Sequence, residues 1–115
     1  MRAGLRVGTS LNGSGGYAER VAADTGGLIV VPPELGLPEA VALPADGRTA
    51  MGIIRAAALQ PGEWVLVESA AGGVGSLLVQ LASSASAQVV AVAGSRRKLE
   101  LATELGAEVN ALMNT

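Results

Sequence analysis

The stretch Val65-Leu66-Val67-Glu68-Ser69-Ala70-Ala71-Gly72-Gly73-Val74-Gly75-Ser76-Leu77-Leu78-Val79 decides how the rest of the chain is read. A short apolar run with β-branched residues passes directly into a Gly-rich turn. Beyond the turn, Val74, Leu77, Leu78 and Leu81 recur at helical spacing. The pattern predicts a buried strand, a tight turn and an amphipathic helix over Val65 to Ala82. The N-terminus of such a helix carries unpaired backbone N–H groups and a partial positive charge directed into the turn, where an anion is stabilised.

The glycine spacing is A-x-G-x-x-G, with Ala70 where a dinucleotide-binding fingerprint has its first Gly. In that fingerprint Gly72 allows the backbone to approach a pyrophosphate and Gly75 allows close packing of helix on strand. The same glycines would also serve a plain strand-to-helix turn, so the flanking sequence matters. Trp64 to Val67 reads as a strand, Val74 to about Ala85 as a helix, Gln88 to Ala93 as a second strand, and Arg97 to Leu105 as a helix closed by Gly106. Glu108 to Thr115 would be a third strand, a poor one because of Asn110 and Asn114. Strands joined by helices of this length are normally parallel neighbours. The fold class expected is therefore α/β, the opening part of a Rossmann-type parallel sheet.

Upstream, residues 1 to 36 read as β structure with loops: Leu5 to Val7, a turn at Asn12-Gly13-Ser14-Gly15-Gly16, then Tyr17 to Ala22, and Leu28 to Val31, which is opened by Gly26-Gly27 and closed by Pro32-Pro33. Asn12-Gly13-Ser14 also matches a glycosylation sequon and is read as a Gly-rich turn. From Pro38 the texture turns to Ala-rich helix. Pro44 is expected to end a short segment, Glu39 to Leu43. A second helix within Arg48 to Leu59 would present Ala50, Ile53, Ile54, Ala57 and Ala58 as its apolar face, stopped by Gln60-Pro61-Gly62. The domain boundary is expected between Pro33 and Arg48.

Composition narrows the function. The chain has 115 residues, no Phe, a single Trp (Trp64) and a single Tyr (Tyr17), so its core must be aliphatic. The net charge of −2, with scattered acids, gives no basic field for nucleic acid. With no Cys and no His, the chain supplies no Cys/His zinc site, thiol nucleophile, disulfide or imidazole base. No apolar run approaches the ~20 residues that span a bilayer, and no signal-peptide pattern opens the sequence, so a cytoplasmic location is expected.

A second chemical signal follows the strand Gln88 to Ala93. An NAD fingerprint places an acid there, on the ribose 2′-hydroxyl. This chain has Gly94-Ser95-Arg96-Arg97-Lys98, three of its eight cations, including its only Lys. Arg and Lys make charge-assisted bonds to a 2′-phosphate, so the cofactor predicted is NADP(H). The bland alternative is a solvated basic first turn, which the helix dipole disfavours.

With these residues in view, the chain resembles the zinc-independent quinone oxidoreductases of the medium-chain dehydrogenase/reductase superfamily. The resemblance rests on Gly15-Gly16-Tyr17-Ala18-Glu19-Arg20-Val21, Ala42-Leu43-Pro44 through Thr49-Ala50, Gln60-Pro61-Gly62-Glu63, Ala70 to Gly75, and Lys98-Leu99-Glu100 through Leu105-Gly106-Ala107. It implies that 1–36 are the C-terminal strands of a GroES-like catalytic domain and 37–115 the N-terminal part of a Rossmann NADP(H)-binding domain. It also implies cofactor-binding roles: Ala70, Gly72, Gly73, Val74 and Gly75 at the pyrophosphate, Ser95, Arg96 and Lys98 at the 2′-phosphate, and Thr49 near the nicotinamide carboxamide. Family members are considerably longer, so most of the catalytic domain and the later half of the cofactor domain would lie elsewhere. Departures from the family pattern are Ser86 at a helix-ending Gly position, Asp46-Gly47-Arg48 before Thr49, and the Asn-containing tail.

The activity so implied is NADPH-dependent hydride transfer to a small-molecule acceptor, a quinone or an activated alkene or carbonyl, by a complete protein expected to be a homodimer. Neither a protein-bound metal nor a membrane is involved in this reading. Two alternatives stay open: an enoyl-reductase unit of a larger synthase, and a non-catalytic nucleotide-binding remnant. The remnant reading draws on the lack of an evident proton donor, because Tyr17 is the only phenol and is expected to be packed or hydrogen-bonded. The catalytic residues are unknown at this stage.

Overall fold

The computed structural model describes residues 2–113, and the chain divides into two compact units after Pro44. In the first unit, strand β1 (Val7–Gly8) pairs antiparallel with β2 (Ile29–Val30) in the register Val7 to Val30 and Gly8 to Ile29. A 3₁₀ turn, Thr25–Gly27, leads into β2, and the Asp24 carboxylate caps it by accepting from the Gly26 N–H at 2.9 Å. The sequence pattern overstates β structure here. Tyr17 to Ala22 is irregular, and Tyr17 is fully exposed at 110% rather than packed. The glycines on either side of the loop explain this. Gly13 and Gly15 take positive φ, as does Asn12, so the chain turns through 12–15 without setting up a partner for the next segment.

Helix α1 (Leu37–Ala42) has Pro38 within its first two positions, where the missing N–H costs nothing. Helix α2 (Pro44–Ala57) begins four residues before the Arg48 expected from the sequence. Pro44 therefore starts a helix as well as following one. Gly47, which precedes the helix expected within Arg48 to Leu59, is accommodated inside α2 at a cost of about 1 kcal/mol relative to Ala. Of the apolar face predicted for α2, only Ala50 is buried and Ile54 partly so, whereas Ile53, Ala57 and Ala58 are exposed.

The second unit contains the parallel sheet. Its strands β3 (Trp64–Val67), β4 (Gln88–Ala93) and β5 (Val109–Leu112) lie in the order β3-β4-β5, linked by α3 (Gly73–Ser84) and α4 (Arg96–Leu105). This is the strand–helix alternation predicted. β5 forms despite Asn110, whose Nδ2 donates to Thr103 Oγ1 at 2.6 Å. Asn114 lies outside the described residues.

The core gathers Val67, Ala70, Val79, Ala82, Val89, Ala91, Ala93, Leu99 and Ala102, with α3 and α4 packed on β4 and on each other. The buried face of α3 is Gly75, Val79 and Ala82. It is made mostly of small residues, so the helix sits close to the sheet, and Val74, Leu77, Leu78 and Leu81 flank that contact half-buried. β3 is not the buried strand its composition suggests. Val67 is buried, but Leu66 is 59% and Trp64 58% exposed, because successive side chains point to opposite faces and the second face is open.

The N-terminal ends of β3 and β4 are tied by hydrogen bonds. Gly62 N–H donates to the Ser86 carbonyl at 2.9 Å, Gln88 N–H to the Glu63 carbonyl at 2.7 Å, and Gln88 Nε2 to the Gly62 carbonyl at 3.0 Å. Ser86 reaches this position with φ of 63°, the left-handed conformation expected at the end of α3. Gly106 ends α4 with φ of 124°.

Ser86→Gly is expected to stabilise the chain by about 0.5–1 kcal/mol, since Gly removes the Cβ penalty of the left-handed conformation. Urea denaturation followed by circular dichroism checks this; a destabilised variant would show that the Ser86 side chain contributes something the backbone geometry does not reveal.

Candidate functional site

β3 ends at Val67 and α3 starts at Gly73, so five residues reverse the chain and bring the helix onto the sheet. The turn closes through the Gly72 N–H to the Ser69 carbonyl at 2.9 Å, while the Ala70 N–H is held by the Val92 carbonyl of β4 at 3.1 Å. Ser69 carries the left-handed conformation, with φ of 50°. This explains why Ala at position 70 is tolerated: the neighbour takes the strained geometry, and fully buried Ala70 does not need the freedom of Gly.

Gly75 is where the packing is tightest. A Cβ placed there would overlap the Ser69 carbonyl oxygen, with the carbonyl carbon at 2.8 Å and Ala70 Cα at 3.1 Å. All of these are backbone atoms, so nothing can swing aside. At Gly73 the obstacle is a side chain, the carboxylate of Asp46 from the first turn of α2, with its carboxyl carbon 3.1 Å away. Gly72 caps α3 in an extended conformation and offers no side-chain oxygen to its first amides. These amides have no acceptor within the helix.

Ser95 and the cations lie at the neighbouring strand end. β3 and β4 are parallel and in register, Val67 opposite Ala91, so the turn 68–72 and the segment 94–98 follow adjacent strands at the same edge of the sheet. Ser95 caps α4, its Oγ accepting from the Lys98 N–H at 3.3 Å, and Arg96, Arg97 and Lys98 are exposed in the first turn. Thus Ala70, Gly72, Gly73, Val74 and Gly75 are grouped with Ser95, Arg96 and Lys98 along one edge. Thr49 is exposed on α2, and its Oγ1 donates to the Ala45 carbonyl at 3.2 Å. It lies one turn beyond Asp46, the α2 residue that reaches Gly73.

Two features escaped the sequence reading: the left-handed Ser69 and the Asp46 contact. The second had a trace in the sequence, since Asp46 stands in a segment that departs from the family pattern. Distance along the chain hid its partner.

Comparison with known proteins shows what the chain is similar to. Quinone oxidoreductase-like protein 2 from Bos taurus is 40% identical over 100 residues, which is 85% of this chain and 29% of that protein. The crystal structure of the quinone oxidoreductase from Thermus thermophilus, a protein also studied in complex with NADPH, superposes with a TM-score of 0.89 at 40% identity, over 96% of this chain and 37% of that one. Over most of its own length the chain is similar to quinone oxidoreductase-like proteins of the medium-chain dehydrogenase/reductase superfamily. A compactin diketide synthase from Penicillium citrinum is 36% identical over 99 residues, 85% of this chain and 4% of the synthase. The chain thus spans less than a third of the length of these curated relatives. No family model matches it. The three-stranded parallel sheet with its helices is the Rossmann-type arrangement of these structural neighbours.

The two glycines should respond differently to the same substitution. Gly75→Ala forces backbone apart and is expected to cost about 2–3 kcal/mol of stability. Gly73→Ala meets only the end of a flexible side chain and gains helix propensity, so it should stay within about 1 kcal/mol of wild type. Equal midpoints for the two variants in chemical denaturation would contradict the packing described for Gly75.

Proposed function

We propose that this chain binds NADP(H) as part of an NADPH-dependent oxidoreductase that, when complete, passes a hydride to a quinone or to an activated alkene or carbonyl. The observation that carries the reading is the grouping, at one sheet edge, of an uncapped, glycine-packed helix start with a basic helix start one strand away. The first suits a pyrophosphate, since Gly72 puts no capping side chain on its amides and neither Gly72 nor Gly75 has a side chain of its own to obstruct an anion. The second suits a 2′-phosphate, because Arg96 and Lys98 are exposed where an NAD-specific site has an acid. The Thermus thermophilus relative with an NADPH complex supports the same cofactor.

In this reading Ala70 holds the turn to β4 while Gly72, Gly73, Val74 and Gly75 receive the pyrophosphate. Ser95, Arg96 and Lys98 receive the 2′-phosphate, and Thr49 lies toward the nicotinamide carboxamide. The cofactor supplies the hydride. The chain's own part is to fix position through backbone amides and to choose between phosphorylated and unphosphorylated dinucleotides by charge. We place residues 1–36 at the end of a GroES-like domain and 37–115 at the start of the cofactor domain. The complete enzyme is zinc-independent and homodimeric in this proposal.

The similarity to the diketide synthase favours one second reading, an enoyl-reductase unit within a larger synthase. It shares the cofactor site and differs only in the acceptor. Comparing quinone with enoyl-thioester reduction by the complete protein separates the two.

NADPH is expected to bind at least about tenfold more tightly than NADH, and Arg96→Ala combined with Lys98→Ala should remove the difference. Titration of each dinucleotide by calorimetry measures this. Equal affinities before and after substitution would overturn the 2′-phosphate assignment.

A further inference from the structure

Asp46 is the acid that the fold seats on the start of α3. Its carboxylate comes from another helix, α2, and lies where a side chain on Gly73 would be, with Oδ1 3.7 Å and the carboxyl carbon 3.1 Å from that point. Asp46 is partly buried, whereas the other acid near the turn, Glu68, is exposed. Gly72 contributes no side-chain cap, and a carboxylate beside Gly73 is the kind of group that the positive end of a helix favours.

Resting on the NADP(H) reading above, we infer that Asp46 is an affinity-setting residue of the cofactor site. The place it occupies is the place a pyrophosphate must approach. Two anions on one helix start repel each other, and the carboxylate must swing away, or share the open amides, before the cofactor is seated. Asp46 thereby stabilises the free chain and weakens binding, and it acts on the part of the cofactor that NADPH and NADH have in common. It sets how tightly either dinucleotide binds. Arg96 and Lys98 set which of them binds better. Gly73 fits the same picture, because any larger residue there would push the carboxylate off the helix start.

Asp46→Asn keeps the size and removes the charge. It should bind NADPH and NADH each about three- to tenfold more tightly, leaving their ratio unchanged, and should melt at a lower temperature than wild type when no dinucleotide is present. Asp46→Ser, which removes both charge and reach, should behave the same way and guards against an effect peculiar to Asn. Calorimetric titration and thermal melts of the full chain read all of these. Tighter binding of both dinucleotides by both variants supports the inference. Unchanged or weaker binding by Asp46→Asn and Asp46→Ser, with wild type still binding NADPH, overturns it and leaves the cofactor reading intact. Failure of wild type and variants alike to bind any dinucleotide overturns the cofactor reading and this inference together.

Discussion

The contact between the Gly75 backbone and the Ser69 carbonyl governs the second unit. Because position 75 has no side chain, α3 can begin directly over the turn that ends β3, and the small face of Gly75, Val79 and Ala82 can then lie close against the sheet. That closeness leaves the first amides of α3 at the sheet edge beside the end of β4, where Ser95 starts α4. A bulkier residue at 75 would lift the helix start, loosen the packing of Val79 and Ala82 on Val89 and Ala91, and move the open amides away from the basic turn. Packing and candidate site share one steric requirement.

Much of this was legible in the sequence, since local chemistry writes it. The Gly-rich turn, the β-branched strands, the Gly106 stop and the left-handed demand on Ser86 each depend on residues within a few positions of one another. The grouping of Ala70 to Gly75 with Ser95 to Lys98 followed from the alternation of strand and helix, as adjacent parallel strands bring their following turns to the same edge.

What the sequence did not show depends on neighbours far along the chain or on which faces are covered. Leu66 reads as buried because it is apolar, yet the face it points to is open. Pro44 reads as a stop because it ends α1, and the helix it starts shows only when Asp46 and Gly47 are seen inside α2. The Asp46 carboxylate meets Gly73 from 27 positions away, a pairing that no spacing rule foretells. Tyr17 reads as packed because Tyr usually is, but it stands in a loop with nothing around it to bury its ring.

The hydrogen bonds joining Gly62, Glu63, Ser86 and Gln88 give the sheet two unlike rims. One rim is closed: its polar backbone groups are spent within the chain, so changes there alter how firmly the domain holds together. The other rim carries the starts of α3 and α4, where Gly72 puts no side chain on the first amides and Arg96, Arg97 and Lys98 are exposed. Cohesion and exposed helix starts thus fall at opposite ends of the same three strands, so a substitution that reinforces the closed end need not alter the chemistry presented at the other.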